Sequence, residues 1–201
     1  VDLSRYIQKE HIKIGLDAID EYLKLNEHIL NYDAQNDFFD DSEEDIPDLP
    51  DLSRGLPVDK NKVLAEMVSL ISSTNAVDAA NANSAANIVK DEKRLLNVIL
   101  DRENKTSTGI GHGVAIPHGR THVVREFIMG LAVCPEGINF DSLDNEPVNL
   151  IFIMASPPDN DTLYLKILKN LTILIRNPMF REELMYASDI DQAYYILKNQ
   201  V

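Results

Sequence analysis

Two short apolar runs constrain this chain more than any other feature: residues 127–133 (FIMGLAV) and 148–154 (VNLIFIM). Neither alternates apolar with polar side chains, so as strands neither tolerates water on one face. Such strands need cover on both sides, and several amphipathic segments can supply it. Residues 59–72 place Val63, Leu64, Met67, Val68, Leu70 and Ile71 on one helical stripe, and residues 90–103 do the same with Leu95, Leu96, Ile99 and Leu100. Residues 161–175 carry a third stripe of Tyr164, Ile167, Leu168, Leu171, Leu174 and Ile175. Strands interleaved with helices predict an α/β sandwich around one mainly buried sheet.

The flanking segments fit that layout. A turn around Leu3 and Ile7 leads into strand-like alternation at Ile12, Ile14 and Leu16, and residues 17–30 read as a helix. Pro135-Glu136-Gly137 and Asp144-Asn145-Glu146-Pro147 read as turns. Residues 178–186 form a short helix opened by Pro178, and 188–199 another, with Ser188 and Asp191 in capping-box spacing.

At 201 residues the chain fits one domain, or one domain with an extension. Its formal charge of −14 speaks against nucleic-acid partners, which require clustered Lys and Arg. Cys134 is the only cysteine and lies in an apolar run, where an inert buried thiol is expected. No signal peptide or membrane-spanning run is seen, so a cytoplasmic location without membrane insertion is expected. Residues 33–53 hold nine acids and no Lys or Arg, so most of the negative charge is local. They are expected to form a solvated, mobile loop, or an acidic segment that docks a basic partner with Phe38 and Phe39 as anchors.

The chemistry concentrates in residues 106–120, TSTGIGHGVAIPHGR. Gly109, Gly111 and Gly113 permit close backbone approach, and Pro117 fixes the chain just before His118. The glycines match neither the GxxxxGK[ST] nor the GxGxxG spacing, which argues against nucleotide binding. His112, His118 and His122 lack the partners of a zinc set, and no GxSxG elbow occurs, so no metal or cofactor is expected. His118 can be a packed residue or a nucleophile. Neutral imidazole attacks phosphorus near neutral pH, and glycine-loop N–H groups with Arg120 could steady the phosphoryl oxygens.

The run Arg102-Glu103, Ser107-Thr108-Gly109-Ile110-Gly111 and Gly113-Val114-Ala115-Ile116-Pro117-His118-Gly119 resembles the RE…STGIGxGxAIPHG signature of the fructose/mannitol-type EIIA domains of the bacterial phosphoenolpyruvate-dependent phosphotransferase system, which include the nitrogen-regulatory EIIA proteins. Phe140-Asp141, Asp144, Pro147-Val148, Leu150 and Phe152 extend the likeness, which covers about residues 57–198 and more faintly 3–16. The resemblance implies one EIIA-like domain over 1–201: an α/β sandwich with a central mixed sheet flanked by helices on both faces. Residues 17–56 have no counterpart and are expected to be an insertion.

The resemblance also implies a role as a phosphotransferase component. His118 would accept phosphate from a phosphohistidine carrier protein, HPr or its nitrogen-branch relative. It would pass the group to an EIIB cysteine or signal to a regulatory target. Arg102, Thr108, Gly109, Arg120 and Tyr164 are the expected phosphate-stabilising residues. Tyr164 departs from the family, in which transferring members usually carry a histidine there. Its hydroxyl can donate a hydrogen bond but brings no positive charge at neutral pH. A regulatory module with weak or no phosphotransfer is the alternative.

Overall fold

The computed structural model describes residues 3–27, 51–73 and 88–199. The acidic stretch 33–50 with Phe38 and Phe39, the end of the helix expected over 17–30, and the connection 74–87 lie outside the described residues.

Single 3-10 turns at Leu3–Arg5 and Lys9–His11 lead into β1 (Ile12–Ile14) and α1 (Asp17–Leu25). Then come α2 (Lys60–Ser72) and α3 (Glu92–Lys105), whose first turns are capped by the carboxylates of Asp59 and Asp91. Three short strands follow: β2 (Gly109–Gly111), β3 (Val114–Ala115) and β4 (His118–Arg120). After them come β5 (Ile128–Ile138), β6 (Val148–Ser156), α4 (Asp161–Arg176), α5 (Pro178–Met185) and α6 (Ile190–Lys198).

The sheet has six strands in the order β1-β5-β6-β3-β2, and β4 also pairs with β6. It is mixed: β5–β6 and β2–β3 are antiparallel, whereas β1–β5, β3–β6 and β4–β6 are parallel. The period-2 alternation of β5 and β6 feeds two separate cores. Ile128, Ala132, Ile151, Ile153 and Ala155 pack with α2 and α3, while Met129, Leu131, Val133, Leu150, Phe152 and Met154 pack with α4, α5 and α6. Helices therefore cover both faces, which is why both strands read as continuous apolar runs.

Two local details differ from the sequence reading. Pro135-Glu136-Gly137 is not a turn but part of β5, whose pairing with β6 shifts between Val133 and Ile138. The irregularity absorbs Pro135 and the positive φ of Gly137, 69°. The cap of α6 is Asp189, which accepts from the Gln192 amide, while Ser188 instead bonds the Gln192 side chain. Within the stretch 17–56, α1 packs onto the core. Ala18 and Ile19 are buried, and Glu66 on α2 accepts from the first amides of α1, Asp17 and Ala18. No helix among the described residues is long and apolar enough to cross a membrane.

Candidate active site

His118 opens β4, opposite Met154 of β6 in register. The next residue explains how a helix comes so close. A Cβ on Gly119 would lie 2.9 Å from Ile99 Cγ1 and 3.1 Å from Val98 Cγ1, so only glycine lets α3 pack onto β4. That approach brings the last turn of α3 to the imidazole.

Two contacts fix the ring. Nδ1 lies 2.8 Å from the Ile116 carbonyl oxygen, and Arg102 Nε donates to Nε2 at 3.1 Å. A carbonyl only accepts, so Nδ1 carries the proton and Nε2 holds the lone pair. Partial burial lowers the imidazole pKa from its ordinary value of 6.5 and the Arg102 guanidinium lowers it further, while the Ile116 contact and the Glu103 carboxylate oppose both. The result is a neutral, oriented ring whose one lone pair, on Nε2, accepts from Arg102.

Arg102 is itself held. Its Nη1 donates to the Thr106 carbonyl at 2.9 Å. The turn that carries Thr106 is anchored by Glu103, a buried carboxylate accepting from Thr108 N at 3.0 Å, Thr108 Oγ1 at 2.6 Å and Lys60 Nζ at 3.2 Å. Lys60 also pairs with Asp141 at 2.7 Å and stands 4.7 Å over the Phe140 ring.

The other expected residues are placed differently. The donors of Thr108 are both spent on Glu103. Gly109 donates its N–H to Ser107 Oγ at 3.2 Å, and its Cβ position lies 2.8 Å from Ser142 Cα, so it serves close packing. Arg120 does not reach the imidazole: its guanidinium bonds Asp161 and the Pro158 carbonyl and stands 5.5 Å over the Tyr164 ring. Tyr164 is only 8% exposed and packs in the inner stripe of α4, yet its ring centre is 6.2 Å from that of His118. Burial raises its phenol pKa, opposed by Arg102 and Arg120.

Two adjoining pockets share His118 and Arg102. One, of about 490 Å³, continues past Thr108, Ile110, Ile116 and Leu168 to Arg176. The other, of about 410 Å³, is lined by Asp101, Lys105, Arg120 and Tyr164. His112 lines the first pocket from a left-handed turn, φ 57°, with its N–H on Asp144. Among the described residues no group of three or more His, Cys, Asp or Glu is placed to hold a metal ion. Glu103 and Lys60 are the parts that sequence reasoning missed. Glu103 stood beside Arg102 in the motif, but Lys60 carried no signal at all.

Fold and site together define a mixed-sheet α/β sandwich with an oriented histidine on a short strand. Residues 57–200 match the family described as phosphoenolpyruvate-dependent sugar phosphotransferase system, EIIA 2, and the chain belongs to that family. A fructose-specific EIIABC component of Bacillus subtilis is 29% identical over 133 residues, covering 66% of this chain and 19% of that protein. A fructose-specific EIIA component of Haloferax volcanii is 34% identical over 99 residues, covering 49% of this chain and 64% of that protein. A nitrogen regulatory protein of Bradyrhizobium diazoefficiens is 29% identical, over 63% of this chain and 82% of its own length. The chain thus spans under two thirds of the two fructose-specific relatives.

Among solved structures, nitrogen regulatory protein IIA-Ntr from Neisseria meningitidis superposes with a TM-score of 0.65 at 21% identity, covering 97% of this chain and 98% of that one. Enzyme IIA mannitol from Escherichia coli, solved in complex with phosphorylated enzyme IIB mannitol, gives 0.54 at 17% identity, over 71% and 89%. At these identities the superpositions establish the fold.

Proposed function

We propose that the chain is a phosphoryl carrier of the phosphotransferase system, with His118 Nε2 as the covalent acceptor. The observation that carries this is the oriented ring: Nδ1–H on the Ile116 carbonyl and the Nε2 lone pair turned to Arg102 and the pockets. The donor is a phosphohistidine carrier protein, HPr or its nitrogen-branch relative. Nε2 forms the new N–P bond as the donor's N–P bond breaks, and that electron pair returns to the donor ring. Nδ1 keeps its proton, bonded to the Ile116 carbonyl. The group then passes to the thiolate of an EIIB cysteine, or its presence is read by a regulatory target, both in the cytoplasm.

Phosphoryl transfer needs positioning and neutralisation of the oxygens more than covalent help. Arg102 is placed for both: its Nε–H leaves the Nε2 lone pair as the N–P bond forms, and the guanidinium then meets the phosphoryl oxygens beside it. Lys105 and Arg120 add positive charge along the second pocket, which Tyr164 also lines. Thr108 and Gly109 act by shaping the turn, because their own donors are committed.

Incubation with phosphorylated HPr or its relative should give an acid-labile, alkali-stable phosphoprotein, and His118→Ala should remain unlabelled. Equal labelling of both would remove His118 as the acceptor. Burial of Tyr164 and the pairing of Arg120 with Asp161 favour a second reading, a regulatory module that binds partners without efficient transfer. Failure of the wild type to label from either carrier would favour that reading.

A further inference from the structure

Glu103 is a buried carboxylate that the transfer step does not use, so its position needs another explanation. Its side chain is 3% exposed, and its oxygens collect three donors: the Thr108 amide, the Thr108 hydroxyl and the Lys60 ammonium. Burying a charge is costly unless it is paired and fully hydrogen-bonded, and this one is both. The turn it grips carries the Thr106 carbonyl that accepts from Arg102 Nη1, and Arg102 Nε lies on His118 Nε2. On the far side, Ser107 Oγ donates to the Phe140 carbonyl, and Lys60 bridges to Asp141, so the turn is tied to the 140–141 loop as well.

We infer that Glu103 is a positioning residue for the phosphoryl site: through Thr108 it fixes the 106–108 turn, whose Thr106 carbonyl holds the Arg102 guanidinium on His118. The inference deepens the phosphoryl-acceptor reading and rests on it for its kinetic consequence. Few bonds separate the two ends. A guanidinium on a flexible stem finds one geometry only if its other N–H groups are fixed, and Thr106 fixes one of them. The Thr106 carbonyl is fixed in turn because Thr108, two residues on, is bonded twice to one carboxylate. Lys60 pairs with that carboxylate and with Asp141, while Arg102 lines the pocket that incoming phosphoryl oxygens would enter.

The test compares Glu103→Gln, Thr108→Val and Thr108→Ser in the full chain. The Arg102 Nε–H resonance is followed first, because it requires no phosphoryl donor. It should be slowly exchanging in the wild type and in Thr108→Ser, which keeps the hydroxyl donor. It should exchange faster in Thr108→Val and fastest in Glu103→Gln, with the backbone amide spectrum otherwise retained. Labelling from a phosphorylated carrier should then fall about tenfold in kcat in Glu103→Gln, with KM nearly unchanged, as expected when a group at the reacting centre is misplaced while docking stays intact. In the Arg102→Ala background, Glu103→Gln should cost nothing further. A further tenfold loss there would overturn the inference, since Glu103 would then act independently of Arg102. So would an unchanged Arg102 signal in both Glu103→Gln and Thr108→Val. If Glu103→Gln does not fold, Thr108→Val carries the same two readouts. A chain that no carrier labels, yet whose Arg102 signal responds as described, would defeat the proposed function and leave the positioning role standing.

Discussion

The two arginines beside His118 differ in what holds them, and that difference decides what each can do. Arg102 is backed by a buried carboxylate, a doubly bonded threonine and a fixed carbonyl. Arg120 is held by Asp161, whose side chain is 69% exposed, and by the Pro158 carbonyl just before α4. Exposed ion pairs contribute little, so the position of Arg120 is weakly enforced, whereas that of Arg102 is anchored in the core. The two carry the same charge within one pocket, and of the two only Arg102 touches His118 Nε2.

The sharpest way to break this comparison is to remove each arginine in turn. Arg102→Ala should slow phosphoryl acceptance by about 10–100-fold, the equivalent of one hydrogen bond to a charged group. Arg120→Ala should slow it by less than about fivefold, in keeping with an exposed pair. Initial rates of labelling by a phosphorylated carrier measure both, and equal losses would erase the distinction.

Gly119→Ala attacks the Arg102 side through its packing. The new methyl would press into Ile99 and Val98 and should cost about 1–3 kcal/mol in a urea melt, with the labelling rate falling because α3 is pushed away. An unchanged midpoint and rate would show that α3 does not depend on this contact. On the Arg120 side, Tyr164→His should raise labelling by about three- to tenfold if a charged donor there helps, and Tyr164→Phe should change it by less than about twofold. A Tyr164→His variant no faster than wild type would leave Tyr164 as a packing residue.

The smallest effect expected is on pH. On the phosphoryl-acceptor reading only neutral imidazole would react, and burial together with Arg102 lowers the His118 pKa from its ordinary value of 6.5. Acceptance should therefore persist below that pH and fall as acidity rises through the lowered pKa. Arg102→Ala should move that limb to higher pH, because the repulsion of the imidazolium is relieved. Arg120→Ala should leave it in place, since Arg120 is not among the groups that shift His118. Proton titration of the His118 ring by NMR reads the shift directly.

Much of the architecture was legible because it rests on local pattern. The unbroken apolar runs of β5 and β6 required two covering layers, and the stripes of α2, α3 and α4 supplied them. The meeting of Arg102 with His118 was legible through a motif with long, specific spacing. The commitments of the other residues were not. Thr108 was expected among the phosphate-stabilising residues, and its hydroxyl donates to Glu103 in the last turn of the adjacent helix. Arg120 lies next to the motif, and its partner Asp161 is 41 residues further on. Pro135-Glu136-Gly137 has turn composition, yet pairing on either side of it carries the strand through.

By itself, then, the sequence determined the layered fold and the glycine-rich stretch that carries His118, because hydrophobic periodicity and backbone constraints act over a few residues. Only the tertiary structure decided which imidazole nitrogen carries the lone pair, which arginine reaches it and which donors are already spent. Those outcomes depend on segments distant along the chain meeting in space: α3 on β4 through Gly119, Lys60 on Glu103, and Arg120 on Asp161. Side-chain hydrogen bonds go to the nearest well-placed partner in space, and sequence spacing does not encode that partner.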